Sequence, residues 1–293
     1  MGLGGYLMWT AVFRELKKRN PDVKLIFAKP PSLRDRLFGR KYGHPVISPI
    51  FDNNPYLDNP SDVTRRDSVM VIDPNDPAYT YYSETTPERQ IFKTGGHVIQ
   101  ITSRAFGIED PELKCELYFS DEEREKADSL AARFGPFITI EPNTKDEFTV
   151  NKTWCFDNWQ KVVNVLKTEN LLVQVGQEGG RVLDGVTSMV GKLTFRETAA
   201  LISKSRLLLA PEGGLMHAAN AVGTRAVIVY TGYVSPTVTG YPEHINLYPL
   251  VECGNCGLRI PCPIGFICSE MITPEMVISA VKTILEDSSD DRI

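Results

Sequence analysis

An α/β fold with parallel sheets, divided between two domains, is what this sequence predicts, and three observations predict it. Between residues 137 and 230, short runs rich in β-branched residues alternate with amphipathic segments of helical period, the pattern of successive βαβ units. The chain has 293 residues, against roughly 150 per domain. Its residues are 42% hydrophobic and 24% charged, enough apolar material for two cores and too ordinary a balance for disorder, collagen or coiled coil.

The elements follow in order. Residues 6–19 read as a helix: Leu7, Ala11, Val12 and Leu16 form one stripe and the last turn is basic, as the helix dipole favours. Asn20-Pro21-Asp22 stops it. Residues 23–28 are a short buried strand, 31–41 a basic helix and 68–73 a second strand, with loops at Asp52-Asn53-Asn54-Pro55 and Asn59-Pro60. Residues 74–96, rich in Pro, Tyr, Thr and Gly, read as a long loop of the functional or mobile kind. Gly95-Gly96-His97 opens a helix that ends near residue 106, and Ser120-Asp121-Glu122-Glu123 caps another over 121–133. Strands over 137–141, 171–175, 207–210 and 226–230 then alternate with helices over 157–166, 194–204 and 215–222. The domain boundary falls within 110–136, giving domains of 1–125 and 126–293. A βαβ domain begins with a strand and this chain starts at the glycine loop, so the first strand is missing or the start is truncated. The acidic run from Glu286 to Asp291 is expected to fray.

Thirty-two Lys and Arg against 37 Asp and Glu leave a net charge of −5, which offers no global attraction to nucleic acid or an anionic membrane and leaves room for a local basic cleft. No run of 18 apolar residues is present, so no membrane span is expected. Met1-Gly-Leu-Gly-Gly lacks the basic flank of a signal peptide, so the expected location is cytoplasmic. In that compartment the Asn151-Lys152-Thr153 sequon is a chance match. Four of the six cysteines cluster at Cys253, Cys256, Cys262 and Cys268, the first two with metal-knuckle spacing. They read as a tetrahedral Zn or rubredoxin-like Fe site, with disulfides or free thiols as the alternatives. Four ligands leave no open position, so the role is structural. Cys115 and Cys155 read as ordinary buried cysteines.

The segment Ala210-Pro211-Glu212-Gly213-Gly214-Leu215-Met216-His217-Ala218-Ala219 lies between a strand and a helix. Two glycines admit a ligand to the backbone, and the free N–H groups at a helix start favour a phosphate. Glu212 can hold sugar hydroxyls and His217 can add a donor; the competing reading of His217 is a satisfied core histidine. Lys152 is either a phosphate ligand or a solvated loop lysine. Trp154 and Trp159 read as packing residues. Gly4-Gly5 is either a tight turn or a place where the backbone closely approaches a ligand.

This segment resembles the Asp-Ser-Gly-x-x-His motif of glycosyltransferase family 9, the ADP-heptose:lipopolysaccharide heptosyltransferases. Glu141-Pro142-Asn143-Thr144 with Asn151-Lys152-Thr153-Trp154 and Asn158-Trp159 is similar to that family's strand, phosphate loop and Lys-x-Trp segment. Val190-Gly191-Lys192-Leu193-Thr194 resembles its turn before a helix, and Gly4-Gly5-Tyr6-Leu7 through Leu16 its N-terminal helix. The Cys cluster followed by Ile272-Thr273-Pro274-Glu275-Met276-Val277 is similar to members carrying cysteines there. The resemblance is strong over 137–280 and weak over 20–135.

The resemblance implies a GT-B architecture, two Rossmann-like domains facing across a cleft, and metal-free inverting transfer from a nucleotide-sugar, ADP-heptose first among donors. It places Asn143, Thr144 and Lys152 on the diphosphate, and Glu212, Gly213, Gly214 and His217 on sugar and phosphate, with Gly4 and Gly5 near the donor. A lysine and backbone dipoles can stabilise the leaving diphosphate without a cofactor. The acceptor is a glycan, a lipid-linked glycan such as lipopolysaccharide, or a protein; the Cys cluster leans towards protein-modifying relatives, which are iron-bearing assemblies, and a homo-oligomer fits the same picture. The family's N-terminal Asp, its general base, falls on Gly5. His97 is the first substitute, with Glu212 and Asp73 behind it. Loss of that Asp also admits a non-catalytic nucleotide-sugar-binding or assembly subunit. A sugar-nucleotide epimerase would need a paired acid and base, which the sequence lacks.

Overall fold

The computed structural model describes residues 2–39, 41–145 and 147–290, the side chains of 288–290 excepted. Six short parallel strands form its main sheet: β6 (Phe137–Ile140), β7 (Leu171–Gln174), β8 (Thr187–Ser188), β9 (Leu208–Pro211), β10 (Ala226–Val229) and β11 (Ile245–Leu247), in the spatial order β11-β10-β9-β6-β7-β8. Strands β6, β9 and β10 are buried along their whole length, as parallel strands covered on both faces must be. Their side chains alternate between two cores. Leu207, Leu209, Val227 and Val229 pack on α5 (Phe156–Leu166) and α10 (Pro274–Asp290). Leu208, Ala210, Ala226 and Ile228 face α6 (Phe195–Ile202) and α7 (Gly214–Val222), where alanines let α7 lie close to the sheet. Trp154 and Trp159 meet edge to face in the first of these cores, 4.9 Å apart, so both are packing residues.

The N-terminal half is thinner. Strands β1 (Lys24–Lys29) and β3 (Val69–Ile72) are parallel, and β2 (His44–Pro45) adds antiparallel to β1. Helix α1 (Leu3–Arg19) is buried all round from Leu7 to Leu16. Trp9, Val12, Phe13 and Leu16 pack on β1 and β3, while Leu7, Met8 and Ala11 join the core of α6 and α7. One apolar cluster therefore runs through both halves. Two more helices complete this half and its link to the sheet: α3 (Val98–Arg104) and α4 (Asp121–Phe134).

Several expectations need correction. Helix α1 starts at Leu3, with Gly4 and Gly5 inside its first turn rather than in a loop. The basic helix shrinks to α2 (Leu33–Leu37), because Gly39 takes a left-handed conformation just beyond it. The supposed loop over 74–96 holds a hairpin, β4 (Tyr82–Thr85) and β5 (Gln90–Phe92), whose polar residues gave no strand signal. Cys155 is exposed at the start of α5, although Cys115 is buried as expected. The acidic run to Asp290 continues α10, and Asp291 lies outside the described residues. Short elements α8 (Pro236–Thr239) and α9 (Ile267–Glu270) also went unread. Among the described residues no helix is long and apolar enough to cross a membrane.

Candidate active site

Two helix N-termini meet at the carboxyl end of β9. Gly213 is the N-cap of helix α7 and Gly2 that of α1, and neither supplies a side-chain cap. Their first turns touch: a Cβ built on Gly4 would lie 2.7 Å from Cδ2 of His217 and 3.4 Å from Cα of Gly214. Only glycine permits that approach. The result is a double set of unpaired backbone N–H groups with the positive ends of two helix dipoles side by side, a site for a polyanion.

Lys152 reaches the same place from another loop. A 3₁₀ turn, Val150–Lys152, follows β6 and directs the amine into an ion pair with Glu212, whose side chain is 8% exposed. The Lys152 Nζ stands 4.9 Å from the Tyr233 ring centroid and 5.7 Å from that of Phe148, so aromatic faces wall the cation on two sides. Tyr81 and Tyr82 come from the N-terminal half and share a hydroxyl–hydroxyl bond of 2.8 Å. Burial pushes both phenols up; the Glu212 charge adds to it at Tyr81, and at Tyr82 the neighbouring Tyr81 adds more than Glu212 does, so both stand protonated. The sequence reading missed Tyr81, Tyr82 and Tyr233; the tyrosine-rich composition of the supposed loop was a signal for the first two, and Tyr233 had none.

His217 is buried. Its Nδ1 lies 2.7 Å from the Tyr241 hydroxyl, its other edge faces Gly4, and burial lowers its pKa to about 3, so the ring is neutral. With Tyr241 donating to Nδ1, the proton sits on Nε2 and points toward the paired helix starts. His97 belongs to the same aromatic cluster, its ring 5.2 Å from Tyr241. The expectation that it serves as general base meets two obstacles. Burial pushes its pKa down to about 4. Its Nδ1 already accepts the Ile99 N–H in capping α3, which leaves the proton on a buried Nε2 beside the Thr239 backbone. No lone pair is left for an acceptor hydroxyl. Asp73, at the end of β3, caps the Asn75 N–H with its carboxylate.

Asn143 is also engaged elsewhere than the sequence suggested. Its N–H and side-chain amide donate to Glu141, the amide also donates to the Arg181 carbonyl, and its oxygen accepts the Arg181 N–H at 3.1 Å. The residue braces the end of β6 to the loop between β7 and β8, while Thr144 bonds to Thr153 at 2.7 Å beside the Lys152 turn.

The cysteine segment frames the site from outside. Asn151, buried, donates to the carbonyls of Leu258 and Ile260, and Thr149 donates to Leu258. That burial also removes the sequon from any surface role. On its other side the segment grips the β4–β5 hairpin: Arg89 donates to the Cys256 carbonyl, the Gln90 N–H to Gly257, and the Arg259 N–H to Glu88. The four thiols are free and within electrostatic reach of one another. Among the described residues no three His, Cys, Asp or Glu side chains stand in a metal-holding group.

The family model of glycosyltransferase family 9 (heptosyltransferase) matches residues 96–248, more than half of the chain and the whole stretch from α3 to the end of β11. The chain belongs to glycosyltransferase family 9. Solved structures agree on the GT-B fold. A family 9 glycosyl transferase from Veillonella parvula is 16% identical, with 98% of this chain and 95% of that one covered and a TM-score of 0.69. The ADP-heptose lps heptosyltransferase II of E. coli is 14% identical, covers 98% and 97%, and scores 0.63. The iron-containing dodecameric glycosyltransferase TibC of enterotoxigenic E. coli H10407 is 15% identical, covers 91% and 76%, and scores 0.60. No curated protein sequence matches. In this chain Lys152 pairs with Glu212, and Gly4, inside a helix rather than a loop, makes the close approach to His217 and Gly214.

Proposed function

We propose that this family 9 chain is an inverting glycosyltransferase that moves a sugar, heptose first among candidates, from an ADP-sugar to a hydroxyl acceptor. The observation that carries the reading is the meeting of Lys152, Glu212 and the uncapped starts of α1 and α7 at one point. Support for ADP-heptose is the presence, among solved structures of this fold, of TibC in complex with ADP-D-beta-D-heptose.

On this reading the diphosphate takes the backbone N–H groups of residues 214–216 and draws the Lys152 amine away from Glu212. The His217 Nε2–H adds a neutral donor. Transfer then follows in line: the acceptor oxygen bonds to the anomeric carbon, the bond from that carbon to the phosphate oxygen breaks, and its electron pair leaves with the nucleoside diphosphate. Lysine and helix dipoles hold the charge that develops there. The acceptor's proton passes to Glu212, whose carboxylate is released by the movement of Lys152 and stands inside the site. This role replaces both the family's Asp, which is Gly5 here, and His97, whose ring has no free lone pair.

A thermal-shift panel of nucleoside diphosphates and their sugars tests the donor class, with ADP-sugars expected to stabilise most. Lys152→Ala should weaken donor binding by about tenfold or more, and Glu212→Gln should keep donor binding while losing transfer by about a hundredfold or more. Full transfer by Glu212→Gln refutes the base assignment, and unchanged affinity in Lys152→Ala refutes the diphosphate assignment.

We further propose that Cys253, Cys256, Cys262 and Cys268 hold one structural Zn or Fe on drawing together. Support comes from the knuckle spacing and from Gly232, whose carbonyl takes the Cys256 N–H and whose Cα side packs on the Cys268 Sγ. Elemental analysis of the purified chain should find about one metal per chain.

A further inference from the structure

We propose that the α2 segment is a docking surface for an anionic lipid bilayer. Leu33 and Leu37, one turn apart on α2, and Phe38 at its C-cap are 77%, 79% and 75% exposed, and Ile47 just beyond β2 is 92% exposed. Single exposed apolar side chains are ordinary, but three on one short helix are not. Nor is this helix loosely attached. Ser32 and Asp35 form a reciprocal capping box, and Asp35 pairs with His44 of β2 at 2.9 Å.

That pairing turns the segment's one acidic side chain inward and leaves Arg34, Arg36 and Lys41 exposed around the apolar residues. Residues 29–47 hold five basic residues and one acidic, a net charge of +4 in a chain of −5. The Arg34 guanidinium lies 5.8 Å from the Phe38 ring centroid, so cation and apolar surface are presented together. Such a face suits a bilayer: leucine and phenylalanine enter the boundary between headgroups and acyl chains while the guanidinium groups bind lipid phosphates. The negative remainder of the molecule is repelled by the same surface, which orients the contact. The local basic feature that the overall charge left room for is thus an amphipathic knob rather than a cleft.

The knob follows the carboxyl end of β1, the edge of the N-terminal sheet where ligands of α/β sheets sit. A bilayer held there selects, from the three acceptor classes, the lipid-linked glycan. That selection rests on the transferase reading; the docking itself does not.

The test is sedimentation of the full chain with vesicles of phosphatidylethanolamine and phosphatidylglycerol, and with phosphatidylcholine alone. Binding is expected only to the anionic vesicles and is weakened by salt. A Leu33→Ser/Leu37→Ser/Phe38→Ser variant and an Arg34→Glu/Arg36→Glu variant should each bind about tenfold more weakly or worse, with unchanged thermal unfolding and donor binding. Absence of binding to anionic vesicles, or binding that survives both variants, overturns the proposal. A concentration-dependent oligomer that the serine variant abolishes, without vesicle binding, gives the face to a second copy instead. Failure of the transferase reading would appear as absent donor binding and leaves the vesicle result intact.

Discussion

Glu141 shows how one carboxyl can carry both structure and pH dependence. It ends β6 against Gly176, where any Cβ would lie 2.6 Å from its Oε2, and burial pushes its pKa up to about 7. The folded protein therefore binds this proton more tightly than the unfolded chain does. The resulting stability is complete below the unfolded value near 4.5 and is lost as pH rises toward 7. Glu141→Gln keeps the acceptor for Asn143 and removes the charge. It should stabilise the protein by roughly 2 kcal/mol at pH 8 and by little at pH 4. Urea unfolding at the two pH values reads the difference, and an equal effect at both would refute the assignment. The residue was visible in sequence only as the first letter of a loop motif, because burial set by β7 and Gly176 is not a local property.

At the scale of elements, the turn that presents Lys152 has little stability of its own. It is held by Asn151, which spans the Leu258 and Ile260 carbonyls, while its own carbonyl accepts the Thr231 hydroxyl. The cysteine segment thus holds the Lys152 turn through a positioning residue. Asn151→Ala should cost about 1–3 kcal/mol of stability and raise the KM for donor more than it lowers kcat, since the amine is displaced and the chemistry is not. Steady-state kinetics separates the two, and a pure kcat loss would contradict the positioning role. Sequence reading singled out Lys152 by its neighbours in a motif, whereas Asn151 carried a misleading sequon. The carbonyls that its side chain meets lie more than a hundred residues along the chain.

Across the whole molecule, the halves are joined by α1 and by a buried cation. Arg196 of α6 pairs with both oxygens of Glu123 on α4, at 2.6 and 2.7 Å. It also donates to the Tyr118 and Pro49 carbonyls, reaching into the N-terminal half. Arg196→Ala should destabilise the fold by about 3 kcal/mol, because it strands Glu123 and two carbonyls together. Chemical denaturation gives that number, and a change below about 1 kcal/mol would mean that solvent replaces these bonds. Loosening the halves should also weaken donor binding, as Gly4 of α1 sets one side of the site.

The sequence alone determined the alternation of strands and helices over 137–230, the apolar strands of the main sheet, the glycine start of α7 and the pairing of Lys152 with the region around Glu212. Each rests on local pattern: period, capping, turn residues and a strand run that must be covered on both faces. Tertiary structure alone decided that Gly4 packs on His217, that His97 is an occupied N-cap, that Asn143 braces a strand end to a loop and that a polar stretch forms a hairpin gripped by the cysteine segment. Those outcomes depend on which distant groups the fold brings side by side. A hydrogen bond or a desolvated ring is settled by neighbours that the chain brings together only on folding.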